Sequence, residues 1–349
     1  MSRSVAIAVD AMGGDRAPEV VVEGTLAALA EYEDLAVHLV GRTEVLEPLL
    51  AGASRDGLTL HHAPDVIGMD ESPAKALRQK PEASISVCVR LLAKGDVRGL
   101  VSAGNTGAVV ASSMFVARLL PGVHRPGIAV TLPTRRGPTV LCDVGANIQP
   151  KPAHYLQYAV MAAAFSHDMH GVESPRVALL NIGTEETKGG AGLRGIRALL
   201  EEAGRAGVFD FVGAVEGNHI FEGAADVVVC DGFVGNTILK AAEGVGRVVV
   251  EEFAAICETE LTGMSADDKE LVQSPLRRGL RRLVELTDYT TYGGAPLLGM
   301  DGCAIIAHGR SDGRAIKHAI RASRDFARRE VNRHIVSRLE ELSAKGITG

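Results

Sequence analysis

Lys188 stands close to Glu185 and Glu186 in NIGTEETKGG, residues 181–190. A short apolar run ends just before this stretch, Gly183 and Thr184 turn the chain, and glycines follow the lysine. An ammonium group near the start of a helix opposes the helix dipole, a placement that makes sense where an anion is there to be neutralised. A solvated charged turn is the other reading of these residues. A second stretch, VVVCDGFVGNTILKAAEG at 227–244, closes an apolar strand on Asp231 and opens a helix with Gly232, Gly235, Asn236 and Thr237. Asn236 can donate to an oxyanion with Asp231 orienting a neighbour, or it can be a helix N-cap. A third, VSAGNTGAVVASS at 101–113, places Ser102, Gly104, Asn105, Thr106 and Gly107 between a strand and a helix. Small residues there leave backbone amides uncovered. With the positive end of the helix dipole they form an anion site that needs no cationic side chain. Asn105 or Thr106 can equally be a simple cap.

Other chemistries find less support. There is no GxxxxGK[ST] loop, and the GxGxxG at Gly190–Gly195 is separated from the preceding strand by TEETKG. His167 and His170 in HDMH lack an evident third metal ligand, no GxSxG elbow is present, and no cysteine has a histidine beside it. The pattern asks for no metal and no cofactor. It fits a reaction in which the protein holds an anion and stabilises developing negative charge without supplying a nucleophile.

The elements that must position these residues alternate along the chain. Predicted strands are 5–9, 36–40, 58–62, 99–103, 128–132, 139–143, 177–181, 211–215, 226–230 and 303–307, with helical patterns between most of them. This alternation predicts an α/β fold with a mostly parallel central sheet. In such sheets ligands bind beyond the carboxyl ends of the strands, so the glycine loops are expected to gather on one edge. One α/β domain over 1–349 is expected, with a helical insertion at 241–290 and a single long helix from Asp312 onward. A chain of 349 residues with 46% hydrophobic and 23% charged residues has ample material for a core, and its 4% aromatic content without Trp suits a Val/Leu/Ile/Ala interior. The formal charge of −6 disfavours nucleic acid as a partner. The five cysteines, 88, 142, 230, 257 and 303, are widely spaced and mostly lie in apolar runs, which predicts reduced, buried thiols in a cytoplasmic protein. No apolar run is long enough to span a membrane.

Taken together, DAMGGDRAP, SAGNTGA, DVGAN, NIGTEETKG, VEGNHIFEGAADVVVCDGFVGN and YGGAPLLGMDG…IIAHG occur in one order over nearly the whole chain. In this the sequence resembles the phosphate acyltransferases of bacterial phospholipid synthesis, departing from their pattern at Gln149-Pro150 and Asn218-His219. The resemblance implies an α/β/α sandwich similar to the isocitrate and isopropylmalate dehydrogenases. It implies an enzyme making acyl-phosphate from acyl-[acyl carrier protein] and inorganic phosphate. It also implies a homodimer, cytoplasmic but peripherally associated with the membrane, whose product goes to a membrane glycerol-3-phosphate acyltransferase. By the same token Lys188 and Asn236 are expected to be catalytic. Substrate contacts are expected from Asp10, Gly13, Gly14, Ser102, Gly104, Asn105, Thr106, Gly107, Asn147, Gly183, Glu185 and Asp231. Basic residues 314, 317, 321, 324 and 328 of the last helix form a stripe to which an acidic carrier protein could dock, or a solvated face over a core face. Leu276, Leu280 and Leu283 line one side of a basic amphipathic segment suited to a lipid surface or a dimer contact. A phosphotransacetylase-like enzyme using acyl-coenzyme A and a non-catalytic acyl-phosphate sensor are the alternatives.

Overall fold

In the computed structural model, which describes residues 4–185, 188–287 and 289–347, one eleven-stranded sheet runs through the molecule. In chain order the strands are β1 (Val5–Asp10), β2 (Leu35–Gly41), β3 (Leu58–His62), β4 (Gly99–Ser102), β5 (Gly127–Thr134), β6 (Gly137–Cys142), β7 (Arg176–Leu180), β8 (Asp210–Val215), β9 (Val227–Val229), β10 (Ala295–Leu298) and β11 (Cys303–Ile306). The helices are α1 (Glu19–Glu31), α2 (Thr43–Leu49), α3 (Pro73–Gln79), α4 (Ser84–Lys94), α5 (Thr106–Val116), α6 (Pro152–His170), α7 (Ala191–Arg205), α8 (Gly217–Ile220), α9 (Gly232–Thr262), α10 (Ala266–Thr287), α11 (Gly313–Arg328) and α12 (Val331–Ala344). Across the sheet the order is β3-β2-β1-β4-β11-β10-β5-β6-β9-β7-β8.

Strand periodicity sends successive residues to opposite faces, and both faces are covered. Ile7 and Val9 of β1 pack in the layer that holds α1, α6 and α11, while Ala8 packs with α4 and Val109 of α5. The result is an α/β/α sandwich with a largely parallel sheet, as the alternation predicts. Burial of each such Ile, Leu or Val contributes roughly 1.5–3 kcal/mol relative to exposure.

The expectation of one loop-bearing edge is corrected by strand direction. β1, β2, β3, β4 and β11 run together, and β6, β9, β7 and β8 run together. Between them β10 is antiparallel to both neighbours and β5 is antiparallel to β6, so the two groups point in opposite directions. The reversal is made by a β5–β6 hairpin closed at Thr134–Gly137, where Gly137 has φ +117°. The glycine loops therefore form two clusters, one per half of the sheet.

Three smaller differences have local causes. β10, in the unassigned GGAPLLG, pairs Pro296 with Ile305. The expected long C-terminal helix breaks at Glu330, which adopts a left-handed conformation (φ 53°) between α11 and α12 without a Gly or Pro to mark it. Four of the five cysteines are buried, whereas Cys257, on α9, is only partly so; all five are free thiols.

Candidate functional site

In the first cluster Asp10 closes β1 with only 3% of its surface exposed. Its Oδ1 accepts from the Met12 amide at 3.2 Å and its Oδ2 from the Ser102 hydroxyl at 2.7 Å. Burial pushes its pKa up, against the pull of hydrogen bonds from Ser84, Ser102 and the Met12 and Gly13 amides. Ser102 Oγ in turn accepts from the Gly104 amide at 3.1 Å. A Cβ on Gly13 would meet the Gly104 nitrogen at 2.7 Å, so the two loops can approach only because residue 13 has no side chain. Gly14, at φ +114°, needs the same freedom for its conformation. Asn105 is the N-cap of α5, with Oδ1 accepting from Ala108 N at 3.0 Å and Nδ2 donating to the carbonyls of Gly68, Met69 and Glu71. Thr106 and Gly107 form the first turn, with Gly107 packed against Pro73.

The second cluster is built on another buried aspartate. Asp143 follows β6 with 0% exposure. Its Oδ1 accepts from the amides of Ile128, Gly145 and Ala146, and its Oδ2 from that of Asn147 at 2.7 Å. Burial raises its pKa as it does for Asp10, and these amides pull the other way. The folded DVGAN loop then receives α9. Asn147 O accepts from Gly232 N at 2.8 Å, and Asn147 Nδ2 donates to Pro126 O at 2.7 Å. Gly235 sits so close that a Cβ would lie 2.0 Å from the Asp143 carbonyl oxygen. Asp231 is the α9 N-cap, accepting from Val234 N at 2.9 Å. Asn236 is thus not the cap. It lies exposed in the second turn, on the helix face that carries Leu239 and Glu243.

β7, β8 and β9 are neighbours in the sheet, so the loops leaving them meet. Asn181, Ile182, Glu216, Gly217, Asn218, Asp231 and Val234 surround a cavity of about 470 Å³ floored by Tyr155 and Cys230. Asn181 Nδ2 donates to Lys188 O at 3.3 Å, Lys188 N donates to Glu185 O at 3.1 Å, and the Lys188 stem lies over the buried Gly183. Lys188 and Glu185 are exposed at this rim, while Glu186 lies outside the described residues. The Cys230 thiol donates to Asp143 O at 3.3 Å and is held protonated, its pKa raised by burial and by Asp143. A thiolate nucleophile is therefore not available there.

A larger cavity, about 1080 Å³, adjoins the small one through shared residues Gly217 and Ile238. One wall is α9, with Ile238, Leu239, Ala241 and Ala242; the facing wall is the β11–α11 loop, His308 to Asp312, and the start of α11. That loop also touches the first cluster, since Gly309 O accepts from Asp15 N at 2.8 Å. Glu243 Oε2 accepts from Lys240 Nζ at 2.8 Å and stands 3.9 Å from His308 Nε2. Burial and Lys240 lower the His308 pKa, favouring the neutral ring. In AHGRSDG, residues 307–313, nothing is assigned from sequence to His308, Arg310 or Ser311. Its glycines and mixed polar residues at a strand end were the available signal.

The basic stripe of α11 is not a vacant docking face. Lys317 pairs with Glu31 at 2.8 Å, Arg324 and Arg328 with Asp34 at 2.7 and 2.9 Å, and Arg321 donates to Thr291 O. Lys317, Arg324 and Arg328 tie α11 to the end of α1 and the turn before β2, and only Arg314 of the series lines the large cavity. Leu276 and Leu280 lie half-buried on α10, and the side chain of Leu283 is outside the described residues. Along the outer part of α9, Val249, Phe253 and Ile256 are 53%, 41% and 57% exposed at helical spacing. No helix of the described residues is long and apolar enough to cross a membrane, and no cluster of three metal-ligating side chains occurs among them.

Comparison with known proteins agrees with this architecture. A phosphotransacetylase from Streptococcus pyogenes superposes with a TM-score of 0.61 over 93% of this chain and 94% of its own, at 17% identity. A branched-chain phosphotransacylase from Enterococcus faecalis gives 0.53 over 94% and 99%, at 16% identity; at such identity the likeness is one of fold. In sequence, the chain is 45% identical to a phosphate acyltransferase of Heliobacterium modesticaldum over 96% of both chains. It is 42% identical to that of Geobacter sulfurreducens over 96% of this chain and 94% of the relative. The model of the family described as "Fatty acid synthesis protein" matches residues 5–334, and with relatives this similar along their whole length the chain belongs to that family, among its phosphate acyltransferases.

Proposed function

We propose that the protein transfers an acyl group from acyl-[acyl carrier protein] to inorganic phosphate. The observation that carries this reading is a pair of adjoining cavities that share Gly217 and Ile238, one along α9 and one at the ends of β7, β8 and β9 where the loop bearing Lys188 bonds to Asn181. A phosphate oxygen attacks the thioester carbonyl, the carbon–sulfur bond breaks, and the proton of hydrogen phosphate passes to the departing thiolate. The products are acyl phosphate and the free carrier thiol. No protein nucleophile is needed, in keeping with the protonated Cys230. Lys188 offsets the gathering negative charge and Asn236 donates to the tetrahedral oxyanion, a contribution of roughly 3–4 kcal/mol for one such donor. Gly183, Glu185 and Asp231 shape this rim; Asn147 and Asp143 hold α9 in place beneath it. The amides of Thr106 and Gly107 at the start of α5 offer a second phosphate contact through the backbone.

The exposed apolar stripe of α9, with Leu276 and Leu280 of α10, supports a homodimer resting on the membrane surface, from which acyl phosphate reaches a membrane glycerol-3-phosphate acyltransferase. Residues 241–290 are then the projecting tip of a single α/β domain. The reaction is tested by incubating the protein with palmitoyl-[acyl carrier protein] and measuring released thiol. Release that requires phosphate is expected. Release that is equal without phosphate, or absent with it, overturns the reading.

A further inference from the structure

At the amino ends of β4 and β11 lies a separate cavity of about 600 Å³. Backbone bonds fix its frame. Arg98 O accepts from Cys303 N at 3.2 Å, Arg118 O accepts from Asp301 N at 2.8 Å, and Asn332 Nδ2 donates to the carbonyls of Met300 and Gly302 at 2.8 and 2.9 Å. Its lining carries Lys94, Arg98 and Arg118, three exposed cations with no ion pair and no side-chain hydrogen bond among the described residues. In a chain of formal charge −6, three cations left unmatched in one cavity stand out. A fourth, Arg333, pairs with Glu330 at 3.0 Å, and Asp301 is exposed and unpaired among the described residues. Glu330 also lines the cavity and is the one non-glycine residue with positive φ among the described residues, at 53°. It precedes the fourteen-residue α12 without a side-chain cap bond, so the first amides of that helix are left open. A non-glycine residue in the left-handed region is held there by its surroundings, and such residues gather at ligand clamps and switch regions.

We propose that this cavity binds a hydroxyl-bearing phosphate monoester, of the sugar- or polyol-phosphate class, with its phosphate on Arg98, Arg118 and Lys94 and a hydroxyl donating to Asp301. The inference does not rest on the acyl-transfer reading, because none of these residues belongs to either glycine-loop cluster or to the cavities beside α9. Charge and volume select the occupant. Three unmatched cations suit a doubly charged group, and the planar guanidinium fork suits phosphate oxygens. A bare phosphate leaves Asp301 without a donor and most of the volume unfilled. An alkyl phosphate meets the cations but brings no hydroxyl to the carboxylate, and a second phosphate on the ligand is opposed by Asp301 and Glu330. A phosphate monoester with free hydroxyls satisfies both signs of charge. The volume falls within the range of roughly 300–1000 Å³ found for small-molecule sites.

Calorimetry on the full chain with glucose 6-phosphate, glycerol 3-phosphate, butyl phosphate, inorganic phosphate and glucose tests this. At least one of the two hydroxyl-bearing esters is expected to bind about tenfold or more tightly than butyl phosphate and inorganic phosphate, with glucose weaker still. Arg98→Gln and Arg118→Gln are each expected to weaken that ester about tenfold or more. Asp301→Ala is expected to weaken it about fivefold while leaving butyl phosphate no weaker, a split that a general disturbance of the fold would not produce. Melting temperatures show whether each variant is folded. Lys94→Gln, at the exposed end of α4, is expected to weaken the ester about threefold and gives an independent reading if an arginine variant does not fold. Failure of both esters to bind, or glucose or butyl phosphate binding as tightly as the better ester, overturns the proposal. So does ester binding undiminished in both Arg98→Gln and Arg118→Gln, which would put the ligand elsewhere on the molecule, or equal weakening of ester and butyl phosphate in Asp301→Ala.

Discussion

Asp10 and Asp143 occupy corresponding places in the two halves of the sheet. Each closes a strand, each is almost wholly buried, and each folds the glycine loop that follows. They differ in what they hold. Asp10 takes bonds from the Ser84 and Ser102 hydroxyls as well as the Met12 and Gly13 amides, and locks its loop against the Gly104 loop, where Asn105 spends its side-chain groups on a cap and three carbonyls. Asp143 gathers four backbone amides and presents the loop to α9, whose next turns open onto both cavities. The same device packs two glycine loops together in one region and, in the other, seats the start of a long helix against the sheet. A glycine loop at a strand end is therefore not by itself a ligand site; what matters is whether its donors are already spent.

The comparison can be broken by removing each carboxylate in turn. Asp143→Ala should be the more damaging, costing at least about 3 kcal/mol because several buried amides lose their acceptor at once. Urea unfolding of the two variants checks this, and an Asp10→Ala variant that loses more stability would reverse the assignment. Gly235→Ala should follow at about 2–3 kcal/mol, since its methyl would collide with the Asp143 backbone and push α9 away. Asp10→Ala should cost about 2 kcal/mol and leave α9 undisturbed. The smallest effect concerns the seam between the halves. There His170 of α6 hydrogen-bonds Thr131 of β5 at 2.9 Å and burial lowers its pKa to about 4. The folded protein keeps this ring neutral while the unfolded chain protonates it near pH 6.5. Its contribution is thus complete above pH 6.5 and is lost as pH falls toward 4, by about 2 kcal/mol after discounting for partial exposure. Melting temperatures of the parent and His170→Asn across that range should converge on acidification; parallel curves would reject it.

Much of this was legible in the residues. Alternating apolar runs gave away the layers, and the strand ends marked the loops that meet at the small cavity. The β5–β6 hairpin was not read, because a parallel-sheet pattern treats each apolar run alike and PTRRGP resembles any polar connection. Strand direction then decided which loops can meet. The ion pairs of the α11 stripe were not legible for a different reason: Glu31 and Asp34 lie far away in sequence, and only packing of α1 on α11 brings them to it. For Ser311 the residues marked only the loop, not a buried hydroxyl without a partner among the described residues. An orphaned hydroxyl is a property of the packed interior, invisible until the neighbours are known.

The central claim is that Lys188 and Asn236 stabilise the charge that develops as phosphate attacks a thioester. The most direct measurement is kcat for thiol release from palmitoyl-[acyl carrier protein] with saturating phosphate, in Lys188→Ala, Asn236→Ala and the parent, each shown to be folded by circular dichroism. The account predicts a loss of at least about a hundredfold in each variant. Near-parental turnover in both would contradict it.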